Sequence, residues 1–368
     1  MDLFGEEPEA PKKLEKSETI DMTTEAPPAA DNGPRSVKLC YGHGDIESTL
    51  ISMLMSQRPP QALIFAGPQG VGKSTMAFQI ARLLLAKGSS QPENIVARRI
   101  ASGAHPDLLT IERALDPVKD KRKDNVDIAE VRKVTPFLRR TASDGSWRVV
   151  IVDDADTMNR AAQNALLKIL EEPPGKTLLI LIAHRAGALI PTIRSRCRLI
   201  PFQSLDDAVM TRLLHESGHA LSPRDIDMLI ALSGGSYGRA LGYIEENALE
   251  VLDKILNLLE SYPAWDWPKI HAMADELARP GQEQAFQTSR ALLCHIWTQI
   301  VLTKAKGRNA AAAPLDRDVF AELLQNSSLE TLSKICENLK EHFDSVQRAN
   351  LDVRQGVLGA FSLMRQAA

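Results

Sequence analysis

The chain has 368 residues, 44% of them hydrophobic and 25% charged, with a net charge of −3; at roughly 100–200 residues per domain it holds two or three globular domains. Its longest strongly apolar run, Leu178 to Ala183, is six residues, far short of the ~20 that cross a bilayer, and the acidic start has no signal-peptide stretch, so a soluble, cytoplasmic protein is expected. Aromatics at 5% argue against base stacking on exposed rings, and four cysteines spaced 157, 97 and 42 residues apart make neither a zinc knuckle nor a disulfide framework.

The charge is uneven along the chain. Residues 1–34 hold nine Asp/Glu, three Lys and five Pro without a sustained period, which predicts a disordered acidic tail over 1–35. The remainder carries 41 Lys/Arg against 38 Asp/Glu, a weakly basic body. Glu47 to Met55 is helix-like. Ala62–Ala66 (ALIFA) reads as a buried strand ending at Gly67, and Ser74–Ala86 as a helix with Met76, Ile80, Leu83 and Leu84 at helical spacing. Lys87–Ala104 is polar and reads as a loop. Leu108–Ile111 is a candidate strand, and Lys119–Asp124 (KDKRKD) a charged loop. Val126–Arg140 reads as one helix, Trp147–Val152 as an apolar strand, and Asn159–Leu170 as a helix stopped by Pro173, Pro174 and Gly175. Thr177–Ala183 is the last predicted strand. Strands apolar throughout and alternating with helices imply a parallel sheet covered on both faces. Past Phe202 the pattern is helical. Ser204 and Asp207 stand at capping-box spacing, Leu252 to Leu259 and Ala285 to Lys304 are helices, Ala310–Pro314 reads as a linker, and a final helix follows Asn350.

Three strings carry chemistry. Gly67 to Ser74 (GPQGVGKS) matches GxxxxGK[ST] between a strand and a helix. Glycines let backbone N–H groups turn inward around phosphate oxygens, and the helix N-terminus adds its dipole. Gly67, Gly70, Gly72, Lys73, Ser74 and Thr75 are therefore the expected phosphate-binding residues, with the Ser74 hydroxyl available to Mg²⁺. Asp153 and Asp154 end the Trp147–Val152 strand, beside the phosphate loop, where open α/β sheets bind ligands. Asp153 is the candidate Mg²⁺ partner. Arg194, Arg196 and Arg198 follow the last predicted strand and need anionic partners; alternation turns some of them away from the chain's own phosphate loop, and surface salt bridging is the other reading.

Gly42-His43, His105-Pro106-Asp107, Gln163 to Pro174 (QNALLKILEEPP) and Ser195-Arg196-Cys197 (SRC), in this order along the chain together with the phosphate loop, resemble the clamp-loader ATPases of the AAA+ family. The resemblance covers residues 36–245 well and the helical C-terminus loosely. It implies a P-loop, RecA-like α/β domain with a parallel sheet over 36–203. A small helical lid over 204–246 and an all-α C-terminal collar over 247–368 would follow. It also implies membership of a hetero-oligomeric ring that loads a sliding clamp onto primed DNA. ATP and Mg²⁺ are the implied cofactors. The implied partners are the other loader subunits (tau/gamma and delta), the clamp, and DNA held weakly through its phosphates. Arg196 resembles the family's trans-acting arginine finger, worth 10³–10⁵ in rate where one acts.

Departures from the pattern point to a stator-like member. Residues 82–104 lack the four zinc cysteines of many relatives, so no zinc is expected. Where motor subunits carry a Glu, this chain has Asp154, a general-base position one methylene short; a displacement of about an ångström costs on the order of 10²-fold. In Gly235 to Leu241 (GSYGRAL), Gly238 stands where motor subunits carry an Arg, and Arg239 is about 100° away around a helix. His184 stands near the family's polar sensor position. These residues imply ATP binding with weak or absent hydrolysis. A tau/gamma-like motor subunit is the alternative, and an unrelated nucleotide kinase would leave QNALLKILEEPP and SRC without a purpose.

Overall fold

The structure is a computed structural model that describes residues 33–87, 93–116, 121–140, 147–307, 318–349 and 351–365. The predicted tail up to residue 32 and the Ala310–Pro314 linker lie outside them. In chain order the first half runs α1 (Gly44–Leu54), β1 (Ala62–Ala66), α2 (Lys73–Lys87), α3 (Glu93–Ala101), β2 (Leu108–Ile111), β3 (Leu115–Asp116), β4 (Lys121–Arg122), α4 (Ile128–Arg132), α5 (Val134–Arg139), β5 (Arg148–Val152), α6 (Arg160–Glu171), β6 (Thr177–Ala183), α7 (Pro191–Arg194) and β7 (Arg198–Pro201). Five strands form one parallel sheet in the order β2-β5-β6-β1-β7.

Period-two alternation gives this sheet two buried faces. Leu63, Phe65, Val149, Ile151, Ile180 and Ile182 pack with residues of α1, α2 and α3. Ile64, Val150, Val152, Leu179 and Leu181 pack on the other face with α4, α5, α6 and α7. Strands lying between two helical layers are buried at every position, as β5 and β6 are, and apart from their first residues, Arg148 and Thr177, both are apolar.

Four expectations are corrected here. Residues 93–101, expected within a loop, are helical: Val96 and Ile100 sit one turn apart and bury completely in a short segment that also holds Glu93, Asn94, Arg98 and Arg99. The helix expected over 126–140 is two, α4 and α5, meeting at Lys133. Pro136 has no N–H to give the Arg132 carbonyl, so one continuous helix loses a bond there. The charged run near 121 is not a free loop: Arg122 pairs with Glu112 at 2.7 Å and Lys123 with Asp127 at 2.7 Å, while β4 pairs with β3. A further strand, β7, follows the last one expected. It is an edge strand, short and with Pro201 at its end, so its composition hides it.

The second half is helical, as expected. The helices α8 (Asp207–Glu216), α9 (Pro223–Ser233) and α10 (Tyr237–Glu245) enclose Met210, Leu214, Ile226, Leu229 and Ala240. The N-cap of α8 is Asp206, whose carboxylate accepts from Val209 N at 2.8 Å, and not Ser204. Then α11 (Ala248–Leu259), α12 (Trp267–Leu277), α13 (Glu283–Ala305), α14 (Asp318–Asn326), α15 (Leu329–Arg348) and α16 (Val353–Met364) share one core around Trp297, Phe343 and Phe361. Among the described residues no helix is long and apolar enough to cross a membrane.

His105-Pro106-Asp107 has a structural use. Asp107, 1% exposed, faces Arg148 at 3.2 Å, and Val149 N donates to the Asp107 carbonyl at 3.0 Å. The Arg148 guanidinium also lies over the Phe137 ring at 4.9 Å. This ties the entry of β2 to the first turn of β5. Removing one charge of a buried pair costs about 3–5 kcal/mol. Asp107→Asn is therefore expected to lose stability on that scale in urea unfolding of the whole chain; a midpoint equal to wild type would contradict the assignment.

Candidate functional site

The site forms where β1 ends and α2 begins. Six consecutive backbone carbonyls, Gly67 to Gly72, each accept a hydrogen bond. Lys73 Nζ donates to Gly67 O at 2.8 Å and Pro68 O at 2.5 Å. Ser236 Oγ donates to Gln69 O at 2.7 Å, and Gly238 N to Gly70 O at 2.9 Å. His43 Nε2 bonds Val71 O at 2.8 Å. Gly72 O receives Met76 N at 2.9 Å and Cys40 Sγ at 3.4 Å. Gly67 N is itself used in the sheet, donating to Ala183 O at 3.3 Å, while the first turn of α2 has N–H groups without a partner within the helix.

Two glycines make the approach of α10 possible. Gly70 has φ +75°, and a Cβ there would lie 2.4 Å from Ser236 Oγ. A Cβ on Gly238 would lie 2.9 Å from Gly70 Cα. The position where motor relatives carry an arginine is thus used here for backbone contact with the phosphate loop. His43 is buried and stacks edge-on against Phe202 at 4.9 Å, which explains the Gly42-His43 string as a support of this loop.

Lys73 is 3% exposed, and burial pulls its pKa down to about 8 despite the opposing pull of Asp153, Asp156 and Asp154. Ser74 Oγ donates to Asp153 Oδ2 at 3.1 Å. Burial, and secondly the neighbouring Asp154 charge, push the Asp153 carboxyl above its ordinary value. Asp154 moves the other way, chiefly through its hydrogen bond with His184 and then through Arg113. His184 Nε2 lies 2.9 Å from Asp154 Oδ1, and Arg113 Nε 2.7 Å from Asp154 Oδ2. His184 Nδ1 lies 3.1 Å from Lys73 Nζ. A lysine donating to Nδ1 leaves the ring proton on Nε2, where it donates to Asp154. Both Asp154 oxygens therefore already hold cationic or N–H partners, and its backbone sits in the left-handed region, φ 49°, which Asp tolerates.

Gly67, Gly70, Gly72, Lys73, Ser74, Thr75, Asp153 and Asp154 are thus brought together. This donor set suits a phosphate chain with a hard cation: the free N–H groups of a helix start, one buried ammonium, and a hydroxyl beside a carboxylate. Arg113, at the end of β2, was not singled out by the sequence; nothing in the string IERA distinguishes it from a surface arginine. Among the described residues no group of three or more His, Cys, Asp or Glu is placed to hold a metal ion.

Arg196 stands apart. It precedes β7, whose first residue, Arg198, pairs with Leu63, and whose last, Pro201, pairs with Ala66 beside the phosphate loop. At ~3.3 Å per strand residue, it lies more than about 13 Å from Gly67, at the opposite end of the sheet. Its Nη2 meets Glu171 Oε1 at 2.9 Å and its Nη1 donates to Thr192 O at 3.0 Å. Cys197 is its anchor: the side chain packs into the core, and burial pushes the thiol up to about 12.

The sequence profile of the family described as "DNA polymerase III, delta subunit" matches residues 42–206. The chain is 37% identical over 184 residues to "DNA polymerase III subunit delta'" of Pseudomonas aeruginosa, covering 48% of this chain and 53% of that protein. It is 27% identical over 322 residues to the subunit delta' of Escherichia coli, covering 83% and 89%. To the Escherichia coli subunit tau it is 28% identical over 314 residues, covering 76% of this chain and 46% of that one. The chain thus spans about half the length of the first and third of these relatives and most of the second.

The lowered lysine pKa has a pH consequence. Lys73 is charged below about pH 8 and neutral above it, and a phosphate favours the charged form. Affinity of the whole chain for ATP should fall by about tenfold from pH 7 to pH 9, since one pH unit above a pKa leaves about a tenth protonated. Fluorescence titration tests this; a fall of equal size in Lys73→Ala would assign the pH effect elsewhere.

Proposed function

We propose that the chain is a clamp-loader AAA+ protein, a delta-prime-type, stator-like subunit of the DNA polymerase III loader; the family profile over residues 42–206 and the similarity to two delta' subunits support this reading. In this role it helps a ring of loader subunits place the sliding clamp on primed DNA. Its neighbours are tau/gamma-type and delta subunits, and it touches DNA weakly, through phosphates. It works in the cytoplasm. Residues 36–203 act as the nucleotide domain, 204–246 as the lid, and 247–368 as the oligomerising collar.

One observation carries this reading. Arg196 lies at the end of the sheet away from the chain's own Lys73 and Asp153, exposed and anchored by Cys197. A guanidinium so held can serve a phosphate only on another subunit. That separation makes a finger in trans the natural use of the residue, and it ties catalysis to assembly.

The chain's own site is read as a nucleotide-binding one. Gly67, Gly70, Gly72, Lys73, Ser74 and Thr75 would hold the phosphates, and Ser74 with Asp153 the Mg²⁺. ATP, when bound, supplies a triphosphate that can be hydrolysed. The residue that would orient water is Asp154, and its ion pair with Arg113 and hydrogen bond from His184 hold it in place. Gly238 brings no cation to the phosphates. Binding with little turnover follows from these two features. A motor subunit of the tau/gamma type is the second reading; the intact phosphate loop and the similarity to tau over 314 residues favour it, while Asp154 and Gly238 weigh against it.

Arg196→Ala tests the reading. The side chain is exposed, so the variant should fold as wild type does. In the reconstituted loader it should depress DNA-stimulated ATPase, with the affected site losing on the order of 10³-fold or more. Unchanged ATPase in that assembly would overturn the finger assignment.

A further inference from the structure

The strings LEEPP and SRC meet in space at a single polar contact. Glu171, the last residue of α6, accepts from Arg196 Nη2 at 2.9 Å, across 25 residues of sequence. The second amino group, Nη1, is held by Thr192 O at 3.0 Å. Beside this contact lies a cavity of about 450 Å³. Ser195, Arg196 and Cys197 line one side of it, and Ile169, Glu171 and Pro173 the other. The arginine side chain therefore rests against open space and not against packed core. With Glu171 removed, Thr192 O would be its remaining tether, and the long stem would regain much of the rotamer freedom that an arginine has in water.

We propose that Glu171 is the positioning residue of the Arg196 finger. This rests on the finger reading and adds the group that aims it. The chemistry fits in three ways. A guanidinium has five N–H donors in a fixed plane. Glu171 and Thr192 take two of them, which leaves three for a phosphate of the neighbouring subunit. The C-terminal end of α6 carries the negative end of its dipole, so the cation is favoured there even before a phosphate arrives. The pair is half exposed, 36% for the Arg196 side chain and 51% for Glu171. Its worth to the fold is therefore small, and its effect is to fix a direction. Cys197 anchors the backbone of the loop, while Glu171 fixes the tip of the side chain.

The test pairs two measurements on the full chain. In the reconstituted loader with clamp and primed DNA, Glu171→Ala should lower kcat of the ATPase by about tenfold, short of the Arg196→Ala loss, because a misplaced group costs rate without being absent. KM for ATP should stay near wild type. Glu171→Gln keeps an acceptor oxygen and should recover most of the rate. In an Arg196→Ala background, Glu171→Ala should cost nothing more, because the residue acts only through the arginine. Independently of turnover, hydrogen exchange of amides 192–198 in the free protein should quicken in Glu171→Ala and stay unchanged in Glu171→Gln. Normal ATPase and exchange in Glu171→Ala, with Arg196→Ala still defective, would overturn the positioning role and leave the finger standing. An equal loss from Glu171→Ala with or without Arg196 would show a purely structural role and also overturn it. Full ATPase in Arg196→Ala would remove the finger itself.

Discussion

The structure depends on how the phosphate loop is held. Each buried carbonyl of such a loop needs a donor. From Gly67 to Gly72 the donors come from three separate parts of the chain. Cys40 and His43 lie before α1, Lys73 begins α2, and Ser236 and Gly238 begin α10. The loop is thus where the N-terminal segment, the sheet and the second helical layer meet. Each donor also constrains its own element. Ser236 caps α10 by accepting from Arg239 N at 3.2 Å while it donates to Gln69. Two glycines, Gly70 and Gly238, remove the Cβ atoms that would keep the helix away.

That arrangement explains why the sequence was readable in some places and opaque in others. Strands β1, β5 and β6 are apolar except for Arg148 and Thr177 at the starts of β5 and β6, because helices cover both faces, and such runs announce themselves. The phosphate loop is legible because its glycines, lysine and serine are contiguous. Contacts between distant residues are not. Arg113 meets Asp154 across 41 positions, and the string around it carries no mark of this. Asp107 was visible within a family string, but its partner, Arg148, was not. The helix at 93–101 escaped because two buried residues, Val96 and Ile100, are a weak signal among charged ones. Strand β7 escaped because an edge strand with exposed Arg198 and Leu199 resembles a loop.

The two ends of the sheet have opposite chemistry. At the C-terminal ends of the strands, a buried ammonium, a hydroxyl and two carboxylates converge, with the second carboxylate already paired with Arg113 and hydrogen-bonded by His184. At the other end, Arg196 stands exposed and free of that cluster. On the proposed reading, a chain built this way carries half of one site and the completing piece of another. Rings of such chains can make turnover conditional on assembly, because no copy alone brings both halves to the same phosphate. In the present chain the local half is the weaker one, since Asp154 is engaged and Gly238 supplies no cation.

The central claim is that this chain serves its neighbour's site and not its own. It is tested most directly by disabling the chain's own phosphate loop inside the complete assembly. With Lys73→Ala in this subunit and every other subunit wild type, DNA-stimulated ATP turnover should be essentially unchanged. A loss as large as that caused by the same substitution in a motor subunit would contradict the account and identify this chain as a motor.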